Sequence, residues 1–515
     1  MSRYAELQDV RISGFMVLCF LALAQFLLHL WTNGNYGMFR DEFYYIACSD
    51  HLDWGYVDHP PLSIALLSLS RALFGDSVRA VRLLPALAGV LSIFLAGLMA
   101  RELGGGRFAQ ITAGLCVMLV PSYLVITGFF SMNAFDLLFW SLVFYLLLRI
   151  INTENQKLWL LVGLLLGLGL LNKISVLILG FCLFVALILT PQRKYLLGKH
   201  IWIGSAVAFL LFFPHVLWQV AHDWPTLEFI NNAKQYKIAE FSPLQFFAAQ
   251  ILSLNPFYSP IWLAGLIWLL AGKEGRRYRL FAFIYITALI VFMLQKSKTY
   301  YLVFAYPVLL AAGARVIESL VCRFRWRWIK PVPVAYILIG GLLLLPFGVP
   351  VLPVDTFMAY QSFTGINAPA DEKSFKSAIL PQYFGDRFGW EEMARRVASV
   401  YRKLPPAEQA NCVILAANYG EAGAMDYYRA RYGLPPVICT HNNYHLWGPG
   451  DAEGAVGISI AISYDELADI FEEVHPAATV ISAYAMPYES NLTVHVCRRL
   501  KLPLEEIWQR AKSFV

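Results

Sequence analysis

The stretch ISGFMVLCFLALAQFLLHLW, residues 12–31, contains no Asp, Glu, Lys or Arg over twenty residues. At about 1.5 Å per residue, a helix of this length crosses the hydrocarbon core of a bilayer. Arg3 and Arg11 precede the stretch and no small-residue cleavage site follows it, so we expect a retained first span, not a removed signal peptide.

Similar apolar stretches recur along the chain. Fifty-eight per cent of the 515 residues are hydrophobic and 15% are charged, whereas soluble globular proteins are about a quarter charged. This composition excludes a soluble globular protein and predicts a polytopic α-helical membrane protein with about eleven transmembrane helices. The predicted spans are 12–31, 80–100, 108–127, 132–150, 157–172, 174–190, 201–220, 246–270, 280–295, 300–321 and 332–350.

Lysine and arginine concentrate in one set of short loops, which indicates the orientation of the chain. These loops are RELGGGR (101–107), TPQRKYLLGKH (190–200), GKEGRRYR (272–279) and CRFRWRWIK (322–330). Because basic loops stay in the cytoplasm, they and the N-terminus are predicted to lie inside. Loops 32–79 and 221–245 and the chain after about 351 then lie outside. The net charge of +6 is scattered, so no nucleic-acid partner is expected.

Beyond Pro350 the composition becomes that of a soluble domain. The periodicity predicts helices over 389–404, over 421–433 with Gly433 as the stop, and over 463–474, and strands over 412–417, 436–439 and 479–484. This alternation predicts an extracytoplasmic α/β domain, residues 351–515, after a transmembrane domain, residues 1–350. A disulfide between Cys412 and Cys439 is one option in that compartment.

Within the first outer loop (32–79), the stretch RDEFYYIACSDHLDWGYVDHPPL (40–62) is crowded with ionisable groups. Asp41 and Glu42 begin a short amphipathic helix, where acidic residues are favoured by the helix dipole. The alternative is catalytic, since a carboxylate near the bilayer can take a proton from an acceptor hydroxyl. Pro60 and Pro61 stiffen the turn after Asp58 and His59, which makes this pair a candidate site for a phosphate or a divalent metal.

Other polar groups recur where later spans reach the outer side. Asn133 and Asp136 lie three residues apart at a helix start, and Lys173 interrupts an apolar region. Charges at membrane depth are costly and often functional, although a lysine also snorkels to the interface. The remaining candidates, which also suit interfacial anchors, are Lys296, Lys298 and Tyr301. Together these groups suit an anionic, lipid-linked substrate.

Several motifs, taken in order, resemble the membrane glycosyltransferases of the C-type (GT-C) superfamily. They are RDE (40–42), HPPL (59–62), FFSMNAFD (129–136), GLGLLNK (167–173) and KSKTYYLVFAYP (296–307). The nearest branch is the protein O-mannosyltransferase and aminoarabinose (lipid A) transferase group. The tail segments NYGEAGAMDYYRARYG (418–433) and HNNYHLWGPG (441–450) are similar to those of a bacterial subgroup.

The resemblance implies transfer of a sugar, with inversion, from a polyprenyl-phosphate donor to a lipid, glycan or protein acceptor. The reaction would take place at the outer face of the bacterial inner membrane. By position, Asp41 corresponds to the acidic catalytic residue and Glu42 to its partner, while Asp58 and His59 replace a Glu-Lys pair.

The same resemblance assigns residues to the donor side. Asn133 stands where many relatives carry Asp, with Asp136 one turn on. Lys173 matches the lysine of the family's Leu-Thr-Lys-like motif, and Tyr301 matches the tyrosine near the donor phosphate. No cofactor is implied with certainty, and a divalent metal at Asp58 and His59 stays an option.

Two other classes of function fit part of the pattern. A polytopic transporter or flippase of a lipid-linked sugar also contains many spans and buried charges, but the sequence contains no inverted repeat. A membrane scaffold whose outer domain binds glycan would use the aromatic residues of 441–450, and an ordinary turn-rich loop accounts for that segment equally well.

Overall fold

The computed structural model describes residues 2–323, 330–367, 372–373, 378–450 and 456–515, and the side chains of 2–13 and 323 are not included. Elements are numbered along the chain. Helices of the first part are α1 (Ser2–Thr32), α2 (Arg40–Asp50), α3 (Leu62–Phe74), α4 (Val78–Val81), α5 (Leu83–Glu102), α6 (Arg107–Met118), α7 (Pro121–Thr127), α8 (Met132–Thr153), α9 (Leu158–Asn172), α10 (Val176–Leu189), α11 (Lys199–Ala221), α12 (Pro225–Asn232), α13 (Pro243–Leu254), α14 (Ser259–Ala271), α15 (Arg279–Leu294), α16 (Pro307–Arg323) and α17 (Pro331–Gly348).

The last part of the chain combines helices with five strands. Its elements are α18 (Val354–Thr364), α19 (Gln382–Gly385), α20 (Trp390–Tyr401), α21 (Pro406–Ala410), β1 (Cys412–Ala416), α22 (Tyr419–Tyr432), β2 (Val437–Cys439), α23 (Asn443–Trp447), β3 (Val456–Ile460), α24 (Tyr464–Ile470), β4 (Phe471–Val480), β5 (Leu492–Leu500) and α25 (Leu504–Arg510).

The protein is a multi-pass membrane protein. Among the described residues, six helical segments are long and apolar enough to cross a membrane, and the number rises to ten if each of four bent helix pairs is one span. Each of the eleven predicted spans has a helical counterpart, but α9 has only 15 residues. The second helix of every bent pair begins with proline, namely Pro121, Pro191, Pro256 or Pro307. Proline breaks the backbone ladder at its own position, and the four pairs bend by 53° to 111°. The bends at Pro121, Pro256 and Pro307 fall inside spans that hydropathy predicts as continuous helices, whereas Pro191 lies just beyond the predicted span 174–190.

The chain forms two compact units. The first contains Met1–Asn35, Arg79–Leu217 and Glu240–Pro353, and it includes most of the apolar helices. The second contains Tyr36–Val78, Trp218–Ala239 and Val354–Val515. Residues 36–78, which the sequence analysis groups with the spans, therefore fold in one unit with the C-terminal part.

A mixed five-stranded sheet lies in the second unit, with strand order β2-β1-β3-β5-β4. β1 pairs in parallel with β2 and β3, and β5 pairs antiparallel with β3 and β4. The predicted strands at 412–417 and 436–439 and the helix stop at Gly433 agree with the structure.

Two predicted element boundaries in this unit are wrong. The helix predicted over 463–474 ends at Ile470, and the strand predicted over 479–484 lies instead at Phe471–Val480. Glu472, Glu473 and Pro476 hide the alternation of this strand. β4 is an outer strand of the sheet, where charged residues and proline are tolerated.

The structure also contradicts the option of a disulfide between Cys412 and Cys439, because both residues are buried free thiols. Cys439 lies opposite Ala416 in the register of β1 and β2, four residues along β1 from Cys412. At about 3.3 Å per residue this offset is roughly 13 Å, beyond the roughly 7 Å that a disulfide spans between Cα atoms.

Close contact between α14 and α16 gives a test of the packing in the first unit. A Cβ atom at Gly313 would lie 2.0 Å from the backbone oxygen of Ile261, whereas one at Gly180 would meet no atom within 4 Å. We expect Gly313→Ala to destabilise the protein by about 1–3 kcal/mol, because the backbone of α14 would have to shift to relieve the overlap. Thermal unfolding in detergent measures the effect, with Gly180→Ala as the control. Equal melting temperatures for the two variants would contradict the packing.

Candidate active site

Asp41 lies in the first turn of α2, directly after Arg40. The side chain of Arg40 is 12% exposed and that of Asp41 is 26% exposed. Arg40 Nε lies 3.5 Å from Asp41 Oδ1 and 4.0 Å from Asp386 Oδ2. The guanidinium is always charged, so the two carboxylates offset the cost of burying it.

Glu42 caps its own helix. Its Oε2 accepts a hydrogen bond of 2.8 Å from the backbone N–H of Phe39, which is a capping interaction. Glu42 is fully buried, whereas Asp41 keeps access to solvent. The two adjacent acids therefore differ in what they can contact.

Tyr419, the first residue of α22, contacts both Arg40 and Asp41. Its hydroxyl donates to Asp41 Oδ1 at 2.9 Å and accepts from Arg40 Nη2 at 3.2 Å. Neither this tyrosine nor Arg40 is among the residues predicted from the sequence. Tyr419 is separated from Asp41 by 378 positions, so no local pattern connects them.

Asp58 is held by a second tyrosine. Tyr44 donates from its hydroxyl to Asp58 Oδ1 at 2.9 Å, and the rings of Tyr44 and Tyr419 are 4.8 Å apart. Asn443 secures the same turn, because its Oδ1 accepts from the backbone N–H of Val57 at 2.7 Å. The structure thus brings Asp41 and Asp58 into one cluster, each bonded to a tyrosine hydroxyl.

His59 lies deeper than Asp58. It is 1% exposed, and the rings of Tyr45 and Tyr56 lie 5.3 Å and 4.8 Å from its imidazole. Its Nδ1 lies 3.0 Å from the backbone oxygen of Pro60, and its Nε2 lies 3.8 Å from Asp58 Oδ1. Among the described residues, no group of three or more His, Cys, Asp or Glu side chains is arranged to hold a metal ion. Within the described residues, the Asp58–His59 pair therefore has no third His, Cys, Asp or Glu placed to complete a metal site.

A buried acidic group extends the cluster behind Arg40. Asp386 accepts hydrogen bonds from Tyr488 at 2.7 Å and from Gln382 at 2.5 Å. Burial raises the pKa of the Asp386 carboxyl, and the Arg40 guanidinium opposes the rise. No sequence pattern singles out Asp386, since a lone Asp is common in a soluble segment.

Glu421 and Glu489 form a second buried acidic pair. Asn418 Nδ2 donates to Glu421 Oε1 at 2.9 Å and to Glu489 Oε1 at 3.2 Å. Burial raises the pKa of both carboxyls, and that of Glu489 reaches about 8. Two carboxyl groups in one dry site cannot both ionise readily, so the pair retains a proton near neutral pH.

The second cluster lies in the first unit and contains Lys173. Its Nζ lies 2.6 Å from Asn133 Oδ1 and 3.9 Å from Asp136 Oδ2. The rings of Tyr301 and Phe304 lie 4.4 Å and 5.3 Å from the ammonium. Four of the ten predicted site residues (Asn133, Asp136, Lys173 and Tyr301) therefore meet here.

Lys296 forms an ion pair apart from Lys173. The Lys296 side chain is 60% exposed and pairs with the exposed Glu240 at 2.9 Å. Lys298 is half-buried and precedes the 3-10 helix Thr299–Ala305, which carries Tyr301. An exposed ion pair contributes little energy, so Lys296 fits the interfacial alternative.

The aromatic residues of 441–450 pack inside the second unit. Tyr444 is buried and donates to Asp426 at 2.7 Å, while Trp447 stacks on His51 at 4.4 Å. A cleft of about 620 Å³ nearby is lined by Asp50, Arg71 and residues of α22. Asp50 follows Asp41 by nine residues, which is half a turn out of phase on α2, so this cleft is on the face opposite Asp41.

The architecture is that of a multi-pass membrane protein with the GT-C fold. The structure matches the crystal structure of ArnT from Cupriavidus metallidurans bound to undecaprenyl phosphate with a TM-score of 0.63. Identity is 16%, and the match covers 94% of this chain and 97% of ArnT. ArnT in the apo state matches with the same TM-score and identity, over 94% and 98% of the two chains.

Residues 58–218 match the model of the dolichyl-phosphate-mannose-protein mannosyltransferase family. An uncharacterized protein of Aquifex aeolicus (strain VF5) is 28% identical over 272 residues, which span 51% of this chain and 54% of that protein. The chain therefore covers about half the length of this relative. The predicted resemblance to the GT-C group is confirmed, and the match of residues 58–218 to a mannosyltransferase family agrees with the glycosyltransferase class predicted from the sequence.

The Glu421–Glu489 pair predicts a pH dependence of stability. The unfolded chain releases the Glu489 proton near pH 4.5, whereas the folded protein retains it up to about pH 8. The folded state therefore binds more protons between these two pH values, and its stability falls as pH rises through this range. Glu489→Gln removes the second ionisable group and should flatten the dependence. Melting temperatures at pH 5 and pH 8 measure it, with the exposed Glu472→Gln as the control. An unchanged slope in Glu489→Gln would contradict the shared proton.

Proposed function

We propose that this protein is an inverting glycosyltransferase that moves a sugar from a polyprenyl-phosphate donor to a lipid, glycan or protein acceptor. The GT-C fold supports the class, and the ArnT structure with undecaprenyl phosphate supports the type of donor. The observation that carries the proposal is the pair of tyrosine-bonded carboxylates, Asp41 and Asp58, beside the buried Arg40.

Asp41 is the proposed base. One of its oxygens, Oδ1, is occupied by Tyr419 and faces Arg40 Nε, and Oδ2 has no donor among the described residues. The acceptor oxygen attacks the anomeric carbon, the bond from that carbon to the phosphate oxygen breaks, and the polyprenyl phosphate leaves with the electron pair. The acceptor proton passes to Asp41, or is oriented by it. With an amine acceptor, the nitrogen attacks the anomeric carbon in the same way and its proton passes to Asp41.

Asp58, His59 and Glu42 have supporting roles in this proposal. Asp58 is 14% exposed and is the member of the Asp58–His59 pair that substrate can reach. His59 is encased by tyrosine rings and holds the turn, which disfavours direct contact with a phosphate. Glu42 fixes the start of α2 through its capping bond.

Lys173 is the proposed contact of the donor phosphate. Its ammonium is confined by aromatic rings and by Asn133, so it is held in place before substrate arrives. A phosphate oxygen near such an ammonium makes a charge-assisted hydrogen bond, which also stabilises the leaving group. Asp136 lies beside Lys173 and Ser175 and keeps the lysine oriented.

We further propose that the reaction takes place at the outer face of the bacterial inner membrane, with the N-terminus in the cytoplasm. The support is the basic composition of 101–107, 190–200 and 272–279. Membrane lipids surround the spans. Lys296 and Lys298 are assigned to the interface, where lysine side chains meet lipid headgroups.

Asp41→Asn tests the base. We expect a loss of transfer of about 10²-fold or more, because the amide cannot take the acceptor proton. Mass spectrometry of lipids and glycans from cells with and without the protein first identifies the transferred sugar and its acceptor, and the variant is then assayed on them. Asp355→Asn is the control, since Asp355 also accepts from a tyrosine in the second unit. Full activity of Asp41→Asn would overturn the assignment.

Lys173→Met tests the donor side. The substitution keeps the length and removes the charge, so binding of undecaprenyl phosphate to the purified protein should weaken by about tenfold or more. Titration in detergent measures the dissociation constant. Lys194→Met is the control because Lys194 is exposed and pairs with Glu154. Equal affinities in the two variants would rule out a phosphate contact for Lys173.

A further inference from the structure

We propose that Tyr419 is a positioning residue for Asp41, supplied by the C-terminal part of the chain. The inference rests on the proposed function, because it gives Tyr419 a task only if Asp41 handles the acceptor. It goes further in assigning a reaction role to the part of the protein beyond the spans. Three features of the second unit support it: the hydrogen bonds of the hydroxyl, the cap of α22 and the contact between α22 and α2.

The hydrogen bonds fix the direction of the Tyr419 proton. Arg40 can only donate, so its Nη2 occupies a lone pair of the Tyr419 oxygen at 3.2 Å. The Tyr419 proton is then committed to Asp41 Oδ1 at 2.9 Å. This arrangement leaves Oδ2 as the oxygen that meets the acceptor. Burial raises the pKa of Tyr419 well above its ordinary value, so the hydroxyl remains a donor.

The cap of α22 fixes the backbone that carries Tyr419. Asn418 is the N-cap, and its Oδ1 accepts from the backbone N–H groups of Gly420 at 2.8 Å and Glu421 at 3.1 Å. Glu421 completes the capping box through Oε2, which accepts from Asn418 N at 3.4 Å and from Ala417 N at 2.8 Å. Tyr419 is therefore the first residue of a helix whose start is determined by side chains on both sides of it.

Two glycines bring this helix start against α2. A Cβ atom at Gly420 would lie 2.3 Å from Cγ of Arg40, and one at Gly423 would lie 2.7 Å from the backbone carbonyl carbon of Phe43. Larger residues at these positions would force the two helices apart. The two glycines of YGEAG (419–423) thus allow α22 to approach α2 closely enough for the Tyr419 hydroxyl to reach the first turn of α2.

The Tyr419 ring has little freedom to move away. It is 7% exposed and packs at 4.8 Å on Tyr44, whose hydroxyl holds Asp58. The ring of His441 also lies 4.9 Å from the Tyr419 ring. The same ring that orients Asp41 therefore also supports the second carboxylate of the cluster.

Tyr419→Phe is the test, since it removes one oxygen and keeps the ring. The carboxylate loses a donor that stabilises its charged form, so the acid limb of the kcat/KM profile should move up by about one pH unit and kcat should fall by about tenfold or more. KM for the donor should stay unchanged. The assay uses the full-length protein with the donor and acceptor identified by mass spectrometry.

Tyr484→Phe is the matched control. Its hydroxyl donates to Asp355 at 2.8 Å, nearly the same bond in the same unit, and the pair is exposed. We expect wild-type kinetics from this variant. Melting temperatures of both variants show whether either substitution acts through folding. In an Asp41→Asn background, Tyr419→Phe should cause no further loss, because the two residues act as one unit.

The outcomes separate this inference from the proposed function. An unchanged acid limb in Tyr419→Phe overturns the positioning role, even if kcat falls, because a purely structural contact would lower activity without moving the profile. If Asp41→Asn is inactive while Tyr419→Phe behaves as wild type, only the role of Tyr419 fails. If Asp41→Asn is fully active, the proposed function fails.

Discussion

The buried guanidinium of Arg40 is the constraint on which the second unit depends. Removing a charge from water costs several kcal/mol unless counter-charges and hydrogen bonds replace the solvent. One counter-charge, Asp41, is adjacent in sequence, but Asp386 and the hydroxyl of Tyr419 come from the C-terminal part of the chain. The charge on Arg40 is therefore stabilised by groups from the C-terminal part of the chain, which helps to explain why Tyr36–Val78 and Val354–Val515 fold in one unit. One of the two carboxylates that balance this charge, Asp41, is also the proposed base.

Much of the fold and the charged residues of the candidate site can be predicted from local physical rules. Charged residues are costly near a bilayer, so Asp41, Asp136 and Lys173 stand out in an apolar chain. Proline restricts its neighbour, which points to the turn at Asp58 and His59. Hydropathy does not show the bends at Pro121, Pro256 and Pro307, because an average over twenty residues is insensitive to one missing backbone donor.

The partners of these residues were beyond prediction for a different reason. Tyr419, Asp386 and Asn443 act on residues more than 300 positions away, and such a pairing exists only once the two segments have packed. One local signal was available, the capping box of Asn418 and Glu421, which marks a helix start at Tyr419 and not at Glu421. The strand at Phe471–Val480 was missed because its glutamates and proline belong to an outer strand.

The pairing of Lys173 with Asp136 bears on how the proposed reaction ends. The donor is a phosphodiester with one negative charge, whereas the released polyprenyl phosphate is a monoester with a charge nearer two. An uncompensated ammonium would hold the product more tightly than the donor and slow its release. Asp136 lies 3.9 Å from Lys173 and offsets part of that charge. If Lys173 contacts the donor phosphate as proposed, the pair would favour turnover over a lone lysine, at the expense of some donor affinity.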